Sequence, residues 1–371
     1  MAGAMKTEST AGLPRTAEVE EFLDAFPGTL QEIEHAVNLL SNDPHNAAAV
    51  NALFRAVHSV KSNAAMCQID LVVDITRPLE DLISSVRSGT MSFTPSLGEV
   101  LLMVMDRIQQ AVQCLHEERP IEPLRLGPIT SAIRAYSRAN NETSDTHAQL
   151  LIELISGQPL VAPQQTLHQA ETDIFCLHAS PMQQTDLRFF RQLSLSLEKR
   201  SPFWEGRTGR LLRMAVETNQ EAGHPADPVQ LEAAVYMHDI GMGFLPDSIL
   251  SKDGRLNQLE LCELRMHPQT AANLLQRMPG WEEAAEMVAQ HHERLDGSGY
   301  PLGLQDTHIS HGAKLLAILD AFEAMTHQRI DRHHKKSVVR AISELNACSN
   351  QFHTDWVKAF NQVVRRLLGT N

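Results

Sequence analysis

The chain lacks the marks of several common protein classes. No window approaches the roughly 20 uninterrupted apolar residues of a membrane-spanning helix. Met1 to Arg15 holds Lys6 among small polar residues but no apolar core, so it reads as a loose tail and not as a secretory signal. Positive charge is scarce: 32 Lys and Arg stand against 45 Asp and Glu, a formal net charge of −13. Gripping a nucleic-acid polymer takes clustered cations, so that class is excluded, while a local basic pocket for a small anion is not. The five cysteines, Cys67, Cys114, Cys176, Cys262 and Cys348, are scattered and form no CxxC, which fits free thiols in a reducing cytoplasm. The C-terminal half gives almost no strand signal. No internal repeat or low-complexity tract stands out.

At 371 residues the chain is long for one core, so two domains and a linker are expected. Apolar residues recur at helical spacing from Thr16 to Leu40, with a kink or capped break expected at Pro27-Gly28. Further helices are predicted near His45–Met66, Leu71–Arg87 and Pro95–His116, followed by one or two more in 127–156. Four helices with short turns read as an antiparallel bundle over 16–156. Pro and Gly punctuate 157–183, the expected linker, and the pattern is helical again over 184–371. The fold class is all-α in both halves.

In the second helix Val50, Leu53, Phe54, Val57 and Ala64 define one apolar face, and His58, Arg55, Lys61 and Ser62 fall on the other. An exposed imidazole with an ammonium one turn away suits a phosphoryl acceptor, because the cation offsets the incoming charge. The run Leu53 to Ala64 resembles the phosphoacceptor helix of histidine phosphotransfer (HPt) domains, most closely the first domain of chemotaxis histidine kinases. Their pattern is His-x-x-Lys-Gly; here Ser62 stands in place of the glycine. Pro78 to Ile83 resembles that family's third helix, and Glu80 takes the place of the glutamate that hydrogen-bonds the imidazole. The resemblance covers about residues 16–120. It implies roles for His58, Lys61 and Glu80 in phosphotransfer with a response-regulator receiver domain or a hybrid histidine kinase.

The C-terminal half carries a second constellation. His238-Asp239 closes one predicted helix, His267 precedes Pro268, His291-His292 closes another helix, and Asp320 sits in an apolar run. Neutral imidazole is a common metal ligand, and a carboxylate in an apolar helix needs a cation or hydrogen-bond partner. These six residues can converge on one or two ions, with Asp239 able to bridge a pair about 3.5–4 Å apart.

This half resembles HD-GYP domains, which hydrolyse cyclic di-GMP. The matching runs are His238-Asp239-Ile240-Gly241, His267-Pro268, His291-His292-Glu293-Arg294, Asp296-Gly297-Ser298-Gly299-Tyr300-Pro301 and Asp320-Ala321-Phe322. The resemblance implies a site of iron or manganese, with Tyr300, Arg329 and Arg332 bracketing the dinucleotide. Two departures stand out. The family's first metal-ligating histidine is Arg207 here, and its phosphate-contacting lysine is Met242. Guanidinium stays protonated and cannot ligate a metal. We therefore expect Arg207 to occupy part of the vacated metal position, paired with Asp320 or Asp239, and hydrolysis to be weak or absent.

Three outputs stay open: a cyclic di-GMP phosphodiesterase, a degenerate domain that binds nucleotide or protein and regulates a kinase or a diguanylate cyclase, and an HD phosphohydrolase for another nucleotide. The expected setting is cytoplasmic two-component signalling, with no membrane partner.

Overall fold

The computed structural model describes residues 16–157, 179–252, 254–327 and 335–369. They form two compact units, one on each side of residue 160. No helix among the described residues is long and apolar enough to cross a membrane. The one extended pairing among them is an isolated bridge between Asp296 and Gln305.

The first unit holds α1 (Thr16–Asn42), α2 (Ala47–Met66), α3 (Asp70–Arg87), α4 (Pro95–His116), α5 (Leu126–Tyr136) and α6 (Asn141–Ser156). Side-chain caps set three of the starts: Asn46 accepts from Ala49 N, Thr94 from Leu97 N, and Asn140 from Thr143 N. Pro95 follows its cap at the first helical position, where no N–H is needed. Phe22, Ile33, Leu40, Leu53, Ile75, Leu79, Val104 and Ile108 fill the core. Each such side chain contributes roughly 1.5–3 kcal/mol on leaving water.

Two expectations need correcting in this unit. α1 continues as helix through Pro27, so no capped break falls there. One lost backbone hydrogen bond costs less than undocking a face on which Phe22, Phe26, Ile33 and Val37 are all buried. Phe54 is half-buried instead of sunk in the core, and its ring stacks beside the imidazole of His58 at 6.4 Å.

The second unit holds α7 (Pro181–Glu198), α8 (Arg207–Glu221), α9 (Pro228–Met237), α10 (Asp247–Leu250), α11 (Gln258–Leu264), α12 (His267–Leu275), α13 (Glu282–Gln290), α14 (His311–Thr326), α15 (Val338–Ala347) and α16 (Thr354–Gly369). Sequence periodicity misses α10, which is one turn long, and the short 3-10 turns. Trp281 is fully buried, meets Phe190 edge-on at 5.2 Å, and satisfies its indole N–H on Asp186. Around it α13 presents Ala284, Ala285 and Val288, small enough for close approach of its neighbours. α14 is apolar on nearly all sides, with Leu315, Leu316, Ile318, Leu319 and Phe322 buried. Asp320 lies among them and needs a charged partner.

Candidate metal centre and phosphoacceptor site

In the first unit α2 and α3 bring His58, Lys61 and Glu80 together. Glu80 Oε1 meets His58 Nδ1 at 2.7 Å, and its Oε2 accepts from Lys61 Nζ. With the carboxylate as acceptor, the proton sits on Nδ1 and the lone pair on Nε2. The His58 side chain is 55% exposed while that of Glu80 is 11% exposed, so a fixed carboxylate holds an accessible ring. Arg87 lies 3.9 Å over the Phe54 ring and adds a cation beside this face.

In the second unit four segments converge. His238 ends α9 and Asp239 follows it; His267 opens α12; His291 and His292 end α13; Asp320 comes from α14. The approach of the first two segments depends on Gly241, where a Cβ would lie 2.1 Å from the His267 carbonyl oxygen. The loop bearing Tyr300 is held by buried Glu293, which accepts from Leu302 N at 2.6 Å and Leu304 N at 2.9 Å. Gly299 permits that loop to cross at a point where a Cβ would lie 2.4 Å from the Arg294 nitrogen. Tyr300 stacks on His292 at 4.9 Å, with the Arg265 guanidinium 5.3 Å from its ring centre.

Three imidazoles share one device. Nδ1 of His238, His267 and His291 lies 2.7–2.8 Å from the carbonyl oxygen three residues earlier, on Val235, Leu264 and Val288. A carbonyl only accepts, so each Nδ1 carries its proton and each Nε2 presents a lone pair. Nε2 of His267, Nε2 of His291 and Oδ1 of Asp239 are all buried, with Asp239 Oδ1 3.3 Å from His267 Nε2 and 4.0 Å from His291 Nε2. With one ligand atom of His292 they lie within 4.8 Å of one another. Acceptors facing acceptors in a buried pocket need a cation between them. The set therefore fits a divalent ion bound by three imidazoles and a carboxylate.

Burial holds three of the four rings towards the neutral form, and His267 is the exception. Burial and the neighbouring rings hold His291 well below the ordinary imidazole range, and burial brings His292 down to about 4. Burial also lowers His238. At His267 burial opposes the charged form, but Asp239 outweighs it and the pKa rises. Burial pushes Asp239 up, but Arg207, His238 and His267 together outweigh it and hold the carboxylate well below its ordinary range, so it stays ionised.

A second group of potential ligands, His238, Asp239 and Asp320, is taken by Arg207. Its Nη1 donates to Asp239 Oδ2 at 2.5 Å, its Nη2 donates to Asp320 Oδ1 at 2.7 Å, and Nη2 lies 3.3 Å from His238 Nε2. The guanidinium thus pairs with both carboxylates, where one was expected. Met242 is half-buried on the wall of the adjoining cavity of about 220 Å³, which Arg207, Asp239, His267, His292, Tyr300 and Asp320 also line. Arg329 and Arg332 lie outside the described residues.

The sequence of the HD domain family matches residues 191–356, and that of the Hpt domain family matches residues 18–111. The chain joins an Hpt domain to an HD domain. Among relatives, the 3′3′-cGAMP-specific phosphodiesterase 1 of Vibrio cholerae is 40% identical over 105 residues, 27% of this chain and 24% of that protein. A cyclic di-GMP phosphodiesterase of Pseudomonas aeruginosa is 35% identical over 143 residues, 37% of this chain and 34% of the relative. One of Thermotoga maritima is 32% identical over 141 residues, 37% and 38% of the two chains. The chain spans well under half the length of these relatives.

The HD domain also holds residues that the motif reading passed over. Buried Glu323, one turn beyond Asp320, accepts from Arg210, one turn beyond Arg207, and pairs with His327 at 3.2 Å. Two arginine–carboxylate rungs therefore join α8 to α14. Spacing three apart on both helices was the available signal.

Proposed function

We propose that this chain is a phosphorelay protein whose HD domain binds one iron or manganese ion and a cyclic dinucleotide, cyclic di-GMP in the first instance, with weak or absent hydrolysis. The observation that carries this reading is Arg207 bound to Asp239, Asp320 and His238 at once. A guanidinium supplies fixed positive charge but takes no exchangeable ligand. It cancels one of the two carboxylate charges, which leaves one negative charge for an ion held by Asp239, His267, His291 and His292. A bound ion there supplies positive charge to a phosphate oxygen. Arg207 holds the neighbouring position, and Met242 offers a thioether where a cation would grip the scissile phosphate. Each missing element costs on the order of 10²–10³ in rate.

The ligand class follows from the relatives, whose names specify cyclic di-GMP or 3′3′-cGAMP. Tyr300 on the cavity wall, with Arg329 and Arg332, is the recognition set for the dinucleotide. In the Hpt domain, His58 exchanges a phosphoryl group with a receiver domain or hybrid kinase. Glu80 fixes the ring and Lys61 meets the incoming charge of about −2. The regulated partner is then a kinase or a diguanylate cyclase.

The relatives' activity, together with the four-residue ligand set, favours one rival: a working phosphodiesterase controlled by phosphorylation. Titration of cyclic di-GMP into manganese-loaded protein, followed by chromatography of the nucleotide, separates the two. Binding that is lost in Tyr300→Ala, without product, is expected. Rapid conversion to linear dinucleotide or GMP would overturn the proposal in favour of the rival.

A further inference from the structure

α8 starts without a side-chain cap of its own. Gly206 occupies the cap position at φ +71° and has nothing to offer the first amides. The acceptor comes from the end of α7 instead. Glu198 Oε2 accepts the Gly206 N–H at 3.0 Å, and Oε1 accepts the Thr208 N–H at 2.6 Å. One turn earlier, Ser194 Oγ meets Thr208 Oγ1 at 2.7 Å. The two amides held by one carboxylate are those on either side of Arg207.

This placement has two physical consequences. A carboxylate at a helix N-terminus satisfies orphan N–H groups and complements the helix dipole. It also pins the backbone from which Arg207 reaches Asp239 and Asp320. Any divalent ion entering the group His238, Asp239 and Asp320 must displace that guanidinium. A tethered cation competes through its effective concentration, which falls when its anchor point is freed.

We infer that Glu198 is a positioning residue: it fixes the backbone of Arg207 so that the guanidinium holds the position among His238, Asp239 and Asp320 against a second divalent ion. This rests on the one-ion reading above. The test counts manganese per chain in full-length protein equilibrated with graded Mn²⁺ and passed through a desalting column. Wild type is expected to retain one ion and Arg207→Ala two. Glu198→Ala is expected to take the second ion at least tenfold more tightly than wild type. Glu198→Gln, which keeps one carbonyl acceptor, should show a smaller shift, and it stands in should the alanine variant not fold. A second ion in Arg207→Ala with none in either Glu198 variant overturns the role of Glu198 and leaves the one-ion reading intact. Two ions in wild type overturn the one-ion reading itself. A single ion in Arg207→Ala shows that the arginine guards nothing, which removes the basis for a role of Glu198 in metal exclusion.

Discussion

Histidine does opposite work in the two units, and the difference lies in what each Nδ1 bonds and how much water reaches the ring. His58 Nδ1 meets a carboxylate on a ring 55% exposed. The carboxylate fixes the ring's orientation and tautomer, and the exposure lets a partner domain reach Nε2, which suits a nucleophile that must be visited. His238, His267 and His291 bond carbonyl oxygens and are buried. A neutral carbonyl partner fixes the tautomer of all three rings, and burial favours the uncharged form of His238 and His291, which suits ligands that must not wander.

The comparison breaks most sharply at its two ends. His58→Gln should abolish acid-labile phosphorylation of the chain by a cognate donor, read with labelled phosphate, while manganese binding is unchanged. Residual labelling at another residue would remove His58 from its role. Arg207→Ala should destabilise the metal-free protein by about 3–5 kcal/mol in urea, the usual cost of leaving buried charge unpaired. Added manganese should recover part of that loss. An unchanged urea midpoint would mean that Asp239 and Asp320 are not held by the guanidinium. His291→Ala should weaken manganese binding at least about 100-fold, beyond what losing an outer partner of a ligand costs. In the first unit Glu80→Gln should slow phosphoryl acceptance about tenfold, the scale of one hydrogen bond to a charged group. A full rate in that variant would mean the carboxylate does not tune the ring.

Much of this contrast was legible in the residues themselves. The spacing of Val50, Leu53 and Val57 against His58 and Lys61 predicts which face is wet, because a helix repeats every 3.6 residues. Arg207 and Met242 were visible as departures from a motif, and Asp320 as a charge that an apolar helix cannot leave unpaired. The supports were not legible. Glu198 meets Gly206 and Thr208 across a turn whose path no local rule gives. Glu293 reads as one more charge beside two histidines, yet it holds the loop that carries Tyr300. Pro27 misleads in the opposite sense, since a local penalty was outweighed by packing along the whole of α1.

Acidity tests the second half of the comparison most gently. In metal-free protein the folded state lowers His238, holds His291 well below the imidazole range and His292 near about 4, while the unfolded chain titrates all three near 6.5. The unfolded state therefore takes up protons first as pH falls, and stability present above 6.5 is lost on the way down towards 4. His267 works against this, because Asp239 raises its folded pKa and favours the protonated folded form below that value. Between pH 7 and 6 each of the three depressed histidines costs up to about 0.7 kcal/mol and His267 returns part of the total, for a net loss on the order of 1–2 kcal/mol. Urea midpoints of chelator-treated protein at the two pH values measure this directly. The His291→Ala variant should lose part of that pH dependence, because it removes a ring that burial holds neutral. An undiminished pH slope in His291→Ala would mean that this ring is not held neutral in the folded protein.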